Sequence, residues 1–277
     1  MTPEQYCQDK AAKSGSSFYY SFLFLPPERR RAITALYAFC REVDDVVDEC
    51  ADADVARTKL AWWRREIAGT FAGSAQHPVA QALIPVVRSF NLPQNQFQDI
   101  IDGMEMDLRY NRYPDFTTLA SYCYRVAGVV GLMAAEIFGY RDPATLKFAE
   151  NLGTAFQLTN IIRDVGEDAR RARVYLPLDE LGRFGISATD IVHLRDSDEL
   201  RRLIEFQIER AEQYYARAFA LLPAEDRKSQ RPGLVMAAIY QTVLKEIRSG
   251  GCKVLDRRTS LTPIRKMWIA WRTWLTA

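Results

Sequence analysis

The chain has 277 residues, 37 Lys+Arg against 35 Asp+Glu, a net charge of +2 and 48% hydrophobic residues, the make-up of a core-forming protein and not of a disordered one. The near balance of charge argues against nucleic acid as the main partner, which would demand a dominant basic excess. Two histidines, His77 and His193, starve any His-based zinc, haem or di-iron site and any Ser-His or Cys-His dyad, while five scattered cysteines without CxxC spacing support neither a disulfide framework nor a zinc cluster and fit a reducing, intracellular setting.

Gly and Pro, 14 and 12 residues, fall below the roughly 12% of average usage, so few turns are encoded and long helices are favoured. The N-terminal MTPEQYCQDKAAK lacks an apolar core. The longest apolar run, Val126 to Ala135, is about half of the ~20 residues that a spanning helix needs. Pro27, Pro78, Pro93, Pro143 and Pro263 mark first helical positions. They lead to predicted helices at 27–49, 53–72, 78–90, 93–110, 116–138, 143–169, 197–222, 232–249 and 263–275, with short helical turns near 177–192. No repeat, linker or low-complexity segment divides the chain, so residues 1–277 are read as a single all-α domain. Helices 116–138 and 148–162 are apolar nearly all round, which places them in the centre. Gly128, Gly131 and Gly153 inside them have two readings: close helix packing, or side chains omitted to leave room for a ligand.

Two acidic segments carry the chemistry. Asp44 and Asp48, in REVDDVVDE at 41–49, and Asp164 and Asp168, in QLTNIIRDVGED at 157–168, are each four residues apart and share a helix face. Arg41 precedes the first pair by one turn, and Gln157 and Asn160 extend the second stripe. Like charges at this spacing cost a few tenths of a kcal/mol unless a cation neutralises them. A solvated acidic patch is the plain alternative for either pair alone. Both pairs, however, interrupt or adjoin apolar runs, and carboxylates with an amide oxygen suit Mg²⁺ shared with substrate phosphate. Facing clusters with nearby Arg and Tyr suggest a diphosphate held by Mg²⁺ at the open end of an apolar cavity. A metal-assisted loss of diphosphate from an allylic carbon could occur there, with water excluded.

These segments, with Ser17-Phe18, YCYRVAGVVG at 122–131 and RVYLP at 173–177, resemble the squalene/phytoene synthase family of head-to-head prenyltransferases over most of the chain. The stretch Ser16–Glu49 is most similar to the bacterial hopanoid-pathway branch that forms presqualene diphosphate. The resemblance implies an all-α isoprenoid synthase fold around a central cavity and the condensation of two farnesyl diphosphates. By the same resemblance, Asp44, Asp45 and Asp48 form one metal motif and Asn160, Asp164 and Asp168 the other, with several Mg²⁺ ions and no NADPH. Arg41, Gln157, Asn160, Arg163, Arg173 and Tyr175 would meet diphosphate. Tyr122 would stand near the reacting carbons, either it or the released diphosphate serving as base. Phe18, Phe22, Tyr37 and Val126, together with Val130, Leu152, Phe156 and Tyr240, fall where the family lines its prenyl tunnels, ordinary core packing being the alternative for each. Asp107 matches an acidic position of the family without an assigned role. The other enzymatic readings are a phytoene or dehydrosqualene synthase and a complete squalene synthase; a helical assembly factor that kept the fold is the non-enzymatic one.

The tail sets Trp268, Trp271 and Trp274 three residues apart beside Arg265, Lys266 and Arg272. It reads either as an interfacial helix or as a terminal helix docked by its tryptophans. The expected location is the cytoplasm, with peripheral contact on the inner face of the membrane if the first reading holds. The sequence leaves the oligomeric state open.

Overall fold

The computed structural model describes residues 1–13, 21, 22, 24–50 and 52–276. Phe18 and Ser17 lie outside the described residues. The chain is all-helical: α1 Pro3–Lys13, α2 Pro27–Glu49, α3 Ala53–Ala72, α4 Pro78–Ser89, α5 Gln94–Arg109, α6 Phe116–Cys123, a π-helical turn Tyr124–Gly128, α7 Val129–Phe138, α8 Ala144–Arg170, α9 Leu178–Arg183, α10 Ala188–Val192, α11 Asp198–Leu221, α12 Arg231–Ser249 and α13 Pro263–Thr276. Among the described residues the β-structure is an isolated bridge, Arg112 to Val174.

Local chemistry explains most boundaries. Pro27 and Pro78 open their helices as predicted, whereas Pro93 and Pro143 each sit one residue earlier, as caps. Asp52 accepts hydrogen bonds from the amides of Asp54 and Val55 at the start of α3, and Gly73 ends that helix at φ 77°. Two departures from the sequence expectation matter. Helix α1 was not anticipated, because its sequence is polar; it is held by burial of Cys7 and Ala11 on one side. The expected single helix 116–138 is broken by the π turn, a rare distortion that recurs at functional sites. By length and mean hydropathy Phe116–Phe138 would suit a membrane span, but here it packs against α5 and α8 inside the domain.

The core has two parts. One gathers α2, α3, α4 and α5 around Leu36, Phe39 and Phe97; the other gathers α8, α11 and α12 around Phe148, Ile204 and Tyr215. Residues of α7 and Val126 of the π turn contribute to both. The crossing of this strip over α8 is made backbone to backbone. A Cβ on Gly131 would stand 2.3 Å from the Ala149 carbonyl oxygen, and one on Gly153 would stand 2.2 Å from that of Ala127. The missing Cβ atoms at these two glycines permit the close crossing, and both glycines also line the cavity described below.

Candidate active site

Between the two parts of the core lies an open-ended apolar cavity. Phe22, Tyr37, Val126, Val130, Leu152 and Phe156 all line it, as do Gln157 and Asn160. Of the expected tunnel residues, Tyr240 is not among the lining. It stands one layer behind, its ring 5.1 Å from that of Phe156, and hydrogen-bonds Arg163. Phe138 and Phe148 also line it.

The C-terminal halves of α2 and α8 bring the two acidic segments to the mouth of this cavity. The contact across the mouth is direct: Arg173, just after α8, donates to Asp48 at 2.7 Å and to the Val47 carbonyl at 3.1 Å. Arg41, Arg163 and Arg173, the arginines expected to meet diphosphate, are each paired with a motif carboxylate. Arg41 reaches Asp44 at 2.5 Å and Asp45 at 2.6 Å. Arg163 binds Asp164 through Nε and Nη2, at 2.7 and 2.5 Å. Asp45 differs from its neighbours, since it is also paired with Lys10 of α1 at 2.8 Å. One residue on from Asp44 is about 100° around the helix, so Asp45 faces α1 while Asp44 and Asp48 share the cavity side.

Burial and crowding show in the acid strengths. Asp44 is pushed up to about 6 by burial, with Asp48 and Asp45 adding to the rise against the pull of Arg41. Asp168 rises to about 7 through burial and then the charges of Asp164 and Asp107. Asp164 goes the other way: burial raises it, but the hydrogen bonds and charges of Arg163 and Arg258 prevail and hold it below the usual carboxylate range. The mouth therefore concentrates negative charge that only part of the nearby guanidinium complement offsets.

Whether these residues suit a magnesium ion can be judged from the donors. They are all oxygens, the kind Mg²⁺ selects. The side-chain oxygen of Asn160 is buried and has no hydrogen-bond partner, while its amide nitrogen donates to Gln157 at 3.3 Å. An orphaned acceptor between two acidic helix ends is a position that a cation or its water would satisfy. Among the described residues no three or more His, Cys, Asp or Glu converge tightly enough to hold a metal ion by themselves. Coordination would accordingly need oxygens from a phosphorylated ligand, the usual habit of Mg²⁺ sites.

Beside the mouth stand three aromatic rings. Tyr175 stacks on Tyr122 at 5.5 Å and on Tyr113 at 5.6 Å between centroids. Tyr122 donates to Asp107 at 2.8 Å and Tyr113 to the other oxygen of that carboxylate at 3.2 Å. Burial pushes Asp107 up to about 7, despite those donors and Arg173, and burial together with Asp107 keeps the Tyr122 hydroxyl protonated. Tyr122 thus belongs to this hydrogen-bonded cluster and not to the cavity lining. Sequence reasoning left Asp107 unassigned, and it missed Arg258, which reaches Asp164 at 2.7 Å from 94 residues away, and Arg171, which pairs with Asp48 at 3.0 Å. Asp107 carried a signal in its family position. Arg258 carried none, because a contact this remote leaves no periodicity to read.

Comparison with known proteins agrees with this geometry. The profile described as squalene/phytoene synthase matches residues 11–265. The chain is 36% identical to the 15-cis-phytoene synthase of Synechocystis sp., with 98% of this chain and 84% of that protein covered. It is 35% identical to the chloroplastic phytoene synthase of Narcissus pseudonarcissus, where 94% of this chain aligns but only 63% of that longer protein is spanned. A dehydrosqualene synthase solved with a ligand superposes with a TM-score of 0.86 at 30% identity, covering 98% of this chain and 95% of that one. The squalene synthase HpnC from Alicyclobacillus acidocaldarius gives 0.78 at 29% identity, with 90% and 94% covered.

Proposed function

The chain belongs to the squalene/phytoene synthase family, and on that premise we propose that it joins two farnesyl diphosphates head to head into presqualene diphosphate, for squalene or hopanoid synthesis. The observation that carries this reading is the pair of acidic helix ends opposed beside an open-ended apolar cavity. A magnesium ion held here would supply Lewis-acid pull on a diphosphate leaving group. Asp44, Asp48, Asn160, Asp164 and Asp168 would hold it. Arg41, Arg163 and Arg173, now paired with those acids, are placed to follow the charge onto the departing diphosphate oxygens. The C1–O bond of one substrate breaks, the C2=C3 bond of the second attacks the resulting allylic cation, and loss of a proton closes the cyclopropane. The apolar walls keep water from the cation.

From Asn160 to Phe148, both in the cavity lining, α8 advances twelve residues, about 18 Å of helix, a length that accommodates an extended fifteen-carbon prenyl chain. The second reading, a phytoene synthase using geranylgeranyl diphosphate, is favoured by the names of the curated relatives. Incubation with Mg²⁺ and each diphosphate, without NADPH, separates them. The expected result is conversion of farnesyl diphosphate to a cyclopropylcarbinyl diphosphate and pyrophosphate, with the longer substrate turned over about tenfold less well or worse, the scale at which a pocket discriminates by a few carbons. Faster conversion of geranylgeranyl diphosphate would establish the second reading, and turnover of neither would sink both.

A further inference from the structure

Helix α13 is attached by one face and bare on the other. Ile269 and Ala270 are buried against the domain, and the Trp274 indole lies 5.1 Å from the Phe24 ring and beneath the Arg231 guanidinium at 5.6 Å. On the opposite side Ile264 is 82% exposed, Trp268 54%, Trp271 55% and Leu275 62%. These four recur at steps of four, three and four residues and so form a single stripe along the whole helix. Two tryptophans left in water on one strip mark an interaction surface.

The charge beside the stripe identifies the partner. From Arg257 to Ala277 the sequence has five basic residues and no acidic one, of which Arg258 is ion-paired with Asp164 and Arg265 with Glu246. Arg265 and Arg272 stand beside the stripe, Arg272 lying over the Trp268 ring at 5.4 Å. A second copy docked stripe to stripe would bring these cations against their own equivalents, since a two-fold contact pairs a patch with itself. We propose that α13 lies in the plane of an anionic bilayer, its tryptophans at the headgroup level and its arginines against acidic headgroups. Helix α13 packs along α12, whose Pro232, Gly233 and Met236 line the cavity. The bilayer would then run alongside the cavity wall. The docking itself does not depend on which reaction the cavity supports.

The test needs no turnover. The full chain is sedimented with phosphatidylcholine vesicles containing or lacking phosphatidylglycerol, and indole fluorescence is followed on mixing. Cosedimentation with the anionic vesicles and a blue shift are expected. Trp268→Glu/Trp271→Glu should weaken binding by roughly tenfold or more and Arg272→Glu about fivefold, with helical circular dichroism intact. Equal binding by wild type and the double variant overturns the proposal. So does absence of vesicle binding by the wild type, including the case in which it forms dimers in the ultracentrifuge that the same double substitution abolishes. Should the double variant lose its circular dichroism, the wild-type fluorescence shift and its requirement for the anionic lipid decide alone.

Discussion

Asp44→Asn and Asp164→Asn are each expected to lower turnover by on the order of 10³-fold, the upper range for removing one group that stabilises developing charge, yet to move thermal stability in opposite directions. Asp44 is a half-buried carboxylate beside two others, and its partial burial and those charges raise its pKa. A neutral isostere relieves that crowding, so the melting temperature of the metal-free protein should rise. Asp164 is the shared partner of Arg163 and Arg258. Losing it strands a largely buried guanidinium at a cost of about 1.5–3 kcal/mol, the range for hydrogen bonds to charged groups, and the melting temperature should fall. Added Mg²⁺ with pyrophosphate should stabilise the wild type and do little for either variant. Calorimetry with a pyrophosphate-release assay reads all three. Retained turnover in either variant would refute the two-cluster mechanism, and parallel stability changes would refute the proposed asymmetry of the charges.

Gly153→Ala is expected to cost about 1–3 kcal/mol, although alanine is the better helix former and would gain roughly 1 kcal/mol in an exposed helix. The added methyl would stand 2.2 Å from the Ala127 carbonyl oxygen and 3.0 Å from the Cα of Gly128, so backbone and not a pliable side chain must move. The strip that moves carries Val126 and Val130 of the cavity wall, so substrate affinity should fall together with stability. Gly182→Ala is the control. It has open space around its missing Cβ, lies far from this crossing and should be neutral or slightly stabilising. Urea denaturation of the two variants, with a Michaelis constant for each, checks the pair. An unaltered midpoint for Gly153→Ala would show that the crossing is looser than described.

Much of this was legible in the residues. Helix starts followed from proline and cap chemistry, and the acidic pairs from i, i+4 spacing, because both are local signals. The π turn at Tyr124–Gly128 was not legible: in a stretch apolar on nearly every face, an extra residue in one turn leaves no polar face out of step. Helix α1 escaped notice because its stability rests on the rest of the domain and not on its own pattern. The distinction between Asp45, turned to Lys10, and Asp44, turned to the mouth, required the position of α1, which only the fold supplies. Tyr240, expected in the tunnel wall, packs against Phe156 and is not among the residues lining the cavity, since family position conveys neighbourhood but not which ring stands in front.

The division of the core into two packed parts with a hollow seam has a thermodynamic consequence. A hydrocarbon lying in the seam would touch Ile33 and Leu36 on one side and Leu152 and Met236 on the other, and so would supply interior contacts that the polypeptide itself omits. Under the proposed function the substrate chain would be a removable piece of the protein's own interior. Occupancy at a hundred times the dissociation constant adds about 2.7 kcal/mol by mass action. The two halves should be least firmly joined between turnovers, when product has left and the next pair of chains has yet to enter.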